Sequence, residues 1–87
     1  MPSILSVKGW RIFFFSNEGN EPVHVHCKKG SCVCKYWLLP EQFDIQKAYA
    51  LGISPRDERE LRKILFQHFE ELVDAWNIHQ RKRHESS

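Results

Sequence analysis

The segment from Ser54 to Glu58 constrains the fold most, because it marks the start of a helix. A serine hydroxyl can cap the free N–H groups of a first turn, and proline fits the first helical position. Acidic side chains such as Asp57 and Glu58 favour the positive end of the helix dipole. Apolar residues then recur at helical spacing, at Leu61, Leu65, Phe69, Leu72, Val73 and Trp76. We therefore expect one long helix from Pro55 to near His79.

The residues before Ser54 predict short strands separated by turns. Apolar and polar side chains alternate with a period of two, and Gly, Pro and Asn occur between the alternating segments. Strands are predicted over 4–7, 10–15, 22–28 and 32–39, and residues 43–50 allow a fifth. The expected fold is α+β, a small antiparallel sheet of three to five strands with one long C-terminal helix packed on one face. Residues 1–80 are predicted to form a single domain, and 81–87 a basic, polar tail.

Composition narrows the class of protein further. A length of 87 residues predicts one domain, and a net charge of +2 is too small to indicate nucleic-acid binding by itself. No apolar run approaches the roughly 20 residues of a membrane span, and Met1-Pro2-Ser3 leads directly into a strand pattern without a signal peptide. The chain has three cysteines, an odd number. We expect a cytoplasmic, reducing location with free thiols.

The stretch EPVHVHCKKG, at 21–30, contains the most distinctive polar pattern. Because strand side chains alternate, His24 and His26 should share one face with Lys28, while Val23, Val25 and Cys27 take the core face. We expect both imidazoles to project from the sheet, outside the hydrophobic core. A short hairpin loop of even length would bring Lys35 and Val33 onto the same face, and would place Cys27 opposite Cys32.

Several segments carry the pattern of a known family, and together they extend from Pro2 to about His79. They are FFFSNEGNEPVHVH, KYWLLPE, GISPRDERELRKI and AWN. The most specific parts are Glu-x-x-x-Pro-x-His-x-His and Lys-x-Trp-Leu. On these segments the chain resembles the small bacterial family catalogued as domain of unknown function 4160.

The resemblance implies a short stand-alone protein, often encoded beside another small protein in an arrangement like a toxin–antitoxin pair. It also implies a set of marked residues, which are Glu18, Pro22, His24, His26, Lys35, Trp37 and Trp76. The chain departs from the family pattern at Val33, where an acidic residue is expected, and at Cys32 and Cys34, where small or polar residues are expected. If that acid belongs to the site, its loss affects activity.

Two imidazoles on one strand face suit acid–base chemistry on RNA. One can remove a proton from a 2′-hydroxyl while the other protonates the leaving oxygen, since an ordinary histidine pKa of about 6.5 permits both at neutral pH. A nearby lysine would hold the phosphate, and Glu18 would orient one ring. The candidate catalytic site is therefore Glu18, His24, His26, Lys28 and Lys35. It predicts a ribonuclease without a metal or other cofactor.

A non-catalytic interaction module is the main alternative. The polar sheet face would then bind a small partner protein encoded nearby. Tyr36 and Trp37 lie on opposite faces of their strand, so one of these two rings must leave the core. An exposed ring beside basic residues can stack a base or anchor a partner protein. Both functions fit a cytoplasmic member of a toxin–antitoxin-like pair that has no membrane association. The histidines could also be surface residues without any role.

A zinc-binding domain is the weaker alternative. His24-x-His26 and Cys32-x-Cys34 contain four possible ligands for a tetrahedral ion. A hairpin loop of even length would keep the cysteines off the histidine face, and a lysine in the cluster would repel a cation. No metal is therefore predicted.

Overall fold

The structure is a computed structural model that describes residues 3–14 and 21–85, with side chains described at 5–14 and 21–81. Its elements are β1 (Ser3–Val7), β2 (Trp10–Phe13), β3 (His24–Lys29), β4 (Cys32–Leu39), β5 (Asp44–Leu51), α1 (Pro55–Gln67) and α2 (Phe69–Glu85). The strands lie side by side in chain order and pair antiparallel in one sheet. The predicted α+β architecture is confirmed, including the fifth strand.

Two tight turns set the register of the first four strands. Lys8 and Gly9 connect β1 to β2 with φ of 51° and 84°, and Gly30, with φ of 57°, precedes Ser31 between β3 and β4. Two-residue loops with positive φ match the twist of the strands that they join. The predicted turn between the second and third strands, which contains Glu18, lies outside the described residues.

The core lies between one face of the sheet and the two helices. Trp10, Ile12 and Phe14 face the core from β2 and the residue after it, as their alternation predicts, and all three are buried. They belong to a cluster with Val25, Cys27, Cys34, Tyr36, Leu38, Ile45, Leu61, Ile64, Leu65, Phe69, Leu72 and Trp76. Each large apolar side chain buried in this way contributes about 1.5–3 kcal/mol of transfer free energy.

The start of α1 follows the sequence prediction closely. Ser54 accepts a hydrogen bond from the Asp57 backbone N–H over 3.2 Å, and Pro55 begins the helix. Two ion pairs fasten α1 to the sheet, since Glu60 Oε1 lies 3.3 Å from Lys29 Nζ and Glu58 Oε1 lies 3.3 Å from Lys47 Nζ. The hydrogen bond from Lys29 also lowers the pKa of the Glu60 carboxyl.

The single helix predicted from Pro55 to near His79 is wrong, because two helices meet at His68. The φ of His68 is −110°, outside the helical range. Its N–H nevertheless donates to the Ile64 carbonyl over 3.1 Å, and its carbonyl accepts from the Leu72 N–H over 2.9 Å. Hydrogen bonding therefore continues through the break. No proline or glycine lies there, so the apolar stripe runs on in the sequence and predicts one helix.

The second helix is longer than expected at its C-terminal end. It runs to Glu85, so part of the predicted tail at 81–87 continues α2. Within the described ranges, neither α1 nor α2 combines the length and the apolar character that a membrane span requires.

Candidate functional site: the histidine face

Three cross-strand rows of side chains lie on the sheet face that is turned away from the core. Directly paired residues of antiparallel strands point to the same side of a sheet. The first row is Arg11, Lys28, Val33 and Leu51; the second is Phe13, His26, Lys35 and Tyr49; the third is His24, Trp37 and Gln46. We call these residues the histidine face.

The predicted alternation along β3 is confirmed. Val25 and Cys27 are fully buried in the core cluster, and the two histidines take the other face. The prediction that Lys35 joins the histidines is also confirmed, since it is the direct partner of His26. The loop has the even length that this pairing needs, because Lys29 pairs with Cys32 across Gly30 and Ser31.

The predicted exposure of the two imidazoles is wrong. His24 has no exposed surface, and His26 keeps 7%. The centroid of the His24 ring lies 5.2 Å from that of His26, 5.2 Å from that of Trp37 and 4.9 Å from that of Trp76 in α2. Alternation determines which face of a strand a side chain takes, whereas the neighbouring rings determine whether that side chain meets solvent.

Both ring nitrogens of His24 lie near oxygen atoms of the segment that leads into β3. Nδ1 is 2.9 Å from the Pro22 carbonyl oxygen, and because a carbonyl only accepts, the proton is placed on Nδ1. Nε2 is 3.5 Å from Glu21 Oε2. The Pro22 carbonyl thus fixes the ring, while the contact with Glu21 is an ion pair only when Nε2 also carries a proton. His24 is therefore better suited to position other groups than to exchange protons with a substrate.

Glu21 belongs to the site although sequence analysis did not single it out. Its Oε2 atom lies 3.3 Å from Lys35 Nζ, as well as 3.5 Å from the imidazole of His24. One carboxylate oxygen therefore lies between an imidazole and an ammonium group, while 45% of the Glu21 side chain stays exposed. Its place directly before Pro22, at the entry to β3, was the available signal. The predicted acid Glu18 lies outside the described residues.

The two predicted lysines occupy different environments. Lys35 Nζ lies 4.5 Å from the centroid of the Trp37 ring, a distance typical of a cation–π contact, so Lys35 belongs to the cluster around the imidazoles. Trp37 is the ring that leaves the core, while Tyr36 is fully buried within it. Lys28 is exposed in the first row, one row away from His26, where its direct partner on β4 is Val33.

His26 lies at the boundary between the buried and the exposed parts of the histidine face. Its ring stacks on Phe13, with centroids 5.7 Å apart and an interplanar angle of 24°. The Arg11 guanidinium lies 5.8 Å from the centroid of the same phenyl ring, and the Arg11 side chain is exposed. Of the two imidazoles, His26 is therefore the one with access to a ligand.

The cysteines lie away from the histidines. Cys27 pairs with Cys34 rather than with Cys32, and both are fully buried on the core face. Burial strongly raises the pKa of Cys27 and raises that of Cys34 to about 11, so both are neutral thiols at physiological pH. Cys32 Sγ donates to the Gly52 carbonyl over 2.8 Å. Among the residues with described positions, no three His, Cys, Asp or Glu side chains are grouped as metal ligands.

The side of the histidine face near β5 is apolar and exposed. Tyr49 is 41% exposed and Leu51 is 62% exposed. Val33, where the family resemblance leads us to expect an acid, lies directly between Lys28 and Leu51 in the first row. The exposed end of this face therefore combines apolar side chains with two exposed cations, Arg11 and Lys28.

The protein is thus a small α+β domain, a five-stranded antiparallel meander with helices on one face and a buried histidine pair on the other. The chain belongs to the family described as Domain of unknown function (DUF4160), which matches residues 9–77. That range contains both histidines and extends past Trp76. No curated protein and no solved structure matches the chain.

Proposed function

We propose that the protein is the toxin-like member of a cytoplasmic toxin–antitoxin-like pair, and that a small partner protein holds it by the histidine face. The observation that carries this proposal is the exposure of Tyr49 and Leu51, 41% and 62%, on the face opposite the helices. Scattered surface apolar residues are ordinary, but neighbouring ones on a regular sheet face are typical of interaction sites.

Charge and backbone also favour a protein partner. Arg11 and Lys28 are exposed in the row that ends at Leu51, so the partner that fits is acidic. Tyrosine and arginine are among the residues most enriched where partners bind tightly. β5 is the last strand of the sheet, and its outer backbone groups can pair with an added strand.

The buried part of the face supports the same function. His24 is held by Pro22 and packed by Trp37 and Trp76, so the surface beside it is ordered before any partner arrives. Binding to a preorganised surface costs less conformational entropy than binding to a mobile one.

The test is the affinity for the small protein encoded beside this one, measured by titration calorimetry. Replacing Tyr49 and Leu51 together by Ser should weaken binding at least 30-fold, because removing two anchors commonly costs 2 kcal/mol or more. Ile78→Ser is the matched control, since Ile78 is 49% exposed but lies on α2. Unchanged affinity in the double variant, or an equal loss in the control, overturns the proposal.

RNA cleavage without a metal is the second candidate, favoured by the Glu21 oxygen between His24 Nε2 and Lys35 Nζ. In this function His26 removes the proton of the 2′-hydroxyl as that oxygen attacks the phosphate, and solvent water protonates the 5′-oxygen that leaves as the P–O bond breaks. Lys35 holds the phosphate, and His24 positions its neighbours. His26→Ala should then abolish growth inhibition by the protein expressed without its partner, while affinity for the partner is kept. Lost affinity with cellular RNA intact supports the interaction module instead.

A further inference from the structure

A second surface, remote from the histidine face, lies along the outer side of α1. A groove of about 450 Å³ is lined by Arg59, Arg62, Lys63, Phe66 and Gln67. The buried residues of this helix, Leu61, Ile64 and Leu65, point the other way, into the core. The groove is therefore a surface feature of the helix and is separate from the packing that stabilises the fold.

Unpaired positive charge exceeds unpaired negative charge on α1 within the part of the chain that the structure describes, since Asp57 is the one acid of this helix outside an ion pair. Glu58 and Glu60 of the same helix are paired with Lys47 and Lys29 of the sheet. The four cations of α1, namely Arg56, Arg59, Arg62 and Lys63, have no ion pair with any residue that the structure describes. At a rise of about 1.5 Å per residue they extend over roughly 10 Å, which makes a short cationic track.

Aromatic rings accompany the cations. The Arg62 guanidinium lies 6.0 Å from the centroid of the Phe66 ring, and the Phe43 ring lies 6.2 Å from that of Phe66. Phe43 is 53% exposed, and its φ of 50° falls in the left-handed region that residues other than glycine rarely adopt. A strained backbone that presents a large ring to solvent is typical of binding sites.

We infer that the outer side of α1 binds single-stranded nucleic acid. Phosphates match the cations from Arg56 to Lys63. Unstacked bases match Phe66 in the groove and the exposed ring of Phe43 beside it, which lines the neighbouring groove with Glu70 and Asp74. This combination of a cationic track and exposed rings is the general solution for binding single strands. An acidic peptide matches the cations, but its carboxylates leave the rings without a stacking partner. The inference is independent of the proposed function, because it concerns the opposite side of the molecule.

The experiment is fluorescence anisotropy with labelled 12-nucleotide RNA and DNA of mixed sequence, in about 0.1 M salt. Arg59→Gln with Lys63→Gln removes two phosphate contacts, and each lost contact lowers the salt slope by about 0.7 for single strands. At about 0.1 M salt, one decade below 1 M, the double variant should therefore bind roughly 25-fold more weakly than the wild type. The matched control is Arg11→Gln with Lys28→Gln, which removes the same charge from the histidine face. Circular dichroism checks that both variants fold.

The control should bind within about twofold of the wild type, and the salt slope of the α1 variant should fall by about 1.4. Phe43→Ser should weaken binding at least about fivefold, as expected for the loss of one stacked base. Binding of either RNA or DNA with this pattern supports the inference. It is overturned if the wild type binds neither strand, if the two double variants lose affinity equally, or if a 12-residue acidic peptide binds as tightly as RNA.

Discussion

The two faces of the sheet are built from the same strands, yet they are covered very differently. On the core face, Val25, Cys27 and Tyr36 are all completely buried beneath the helices. On the histidine face, exposure rises from 0% at His24 to 62% at Leu51. Strand alternation assigns side chains to faces equally well on both sides. Burial is a separate property, because it depends on which other elements reach each face.

Trp76 connects the two faces. Its ring makes an edge contact with Phe14 on the core side, at 5.3 Å between centroids, and lies 4.9 Å from the His24 ring on the other side. The side chain is 4% exposed. One helical residue thus seals the core and also covers the buried end of the histidine face.

The largest effect is therefore expected from Trp76→Ala. The change leaves a cavity in the core and uncovers a buried imidazole, so unfolding free energy should fall by about 3–5 kcal/mol. Urea denaturation measures this, with Ile78→Ala on the exposed side of α2 as the control. A melting temperature within about a degree of the wild type would place Trp76 outside the core.

The next largest effect is expected from His24→Ala. Removing the ring opens a cavity between Trp37 and Trp76 and leaves the Pro22 carbonyl without its donor, for a loss of about 2–4 kcal/mol. Lys28→Ala is the control on the same strand and face, and an exposed change of this kind should cost at most about 0.5 kcal/mol. If the two variants are equally stable, the His24 ring is not part of the folded framework.

Alkaline pH should weaken the core face selectively, because its titratable groups are buried as neutral acids. Burial raises the pKa of Cys34 from 9.0 to about 11 and that of Tyr36 from 10.0 to about 12. The unfolded chain loses these protons first, so stability should fall as pH rises above about 9. Between its pKa in the unfolded chain and its pKa in the folded protein, each group lowers the free energy of unfolding by about 1.4 kcal/mol per pH unit. Urea midpoints across this range, in reducing buffer, should decline less steeply for Cys34→Ala; an unchanged slope would contradict the assignment.

The difference between the faces also explains what the sequence could predict. The helix start at Ser54, the alternation along β3 and the place of Lys35 on the face of the histidines depend on neighbouring residues, and all three predictions are confirmed. The predicted register, with Cys27 opposite Cys32, is wrong, because Cys27 pairs with Cys34. The burial of His24 depends on Trp76, which is distant in the sequence and is placed by the fold as a whole. The break at His68 arises from one residue's backbone, with no proline or glycine to indicate it.

The site was predictable to a similar extent. His24, His26 and Lys35 were identified from their pattern and do lie together. Glu21 was missed, because its role depends on how the chain enters β3, and its place directly before Pro22 does not by itself show which groups the carboxylate meets. The roles of these residues in binding or catalysis remain predictions.

The smallest effect on stability is expected from Leu51→Ala. Leu51 and Leu38 lie on the paired strands β5 and β4, but Leu38 faces the core and is 2% exposed, whereas Leu51 is 62% exposed on the histidine face. Leu38→Ala should cost about 2–5 kcal/mol, and Leu51→Ala should cost no more than about 0.5 kcal/mol. Urea denaturation of the free protein at two concentrations compares these matched changes directly. A Leu51 cost that approaches that of Leu38 and grows with concentration would mean that a second copy of the chain already covers the histidine face.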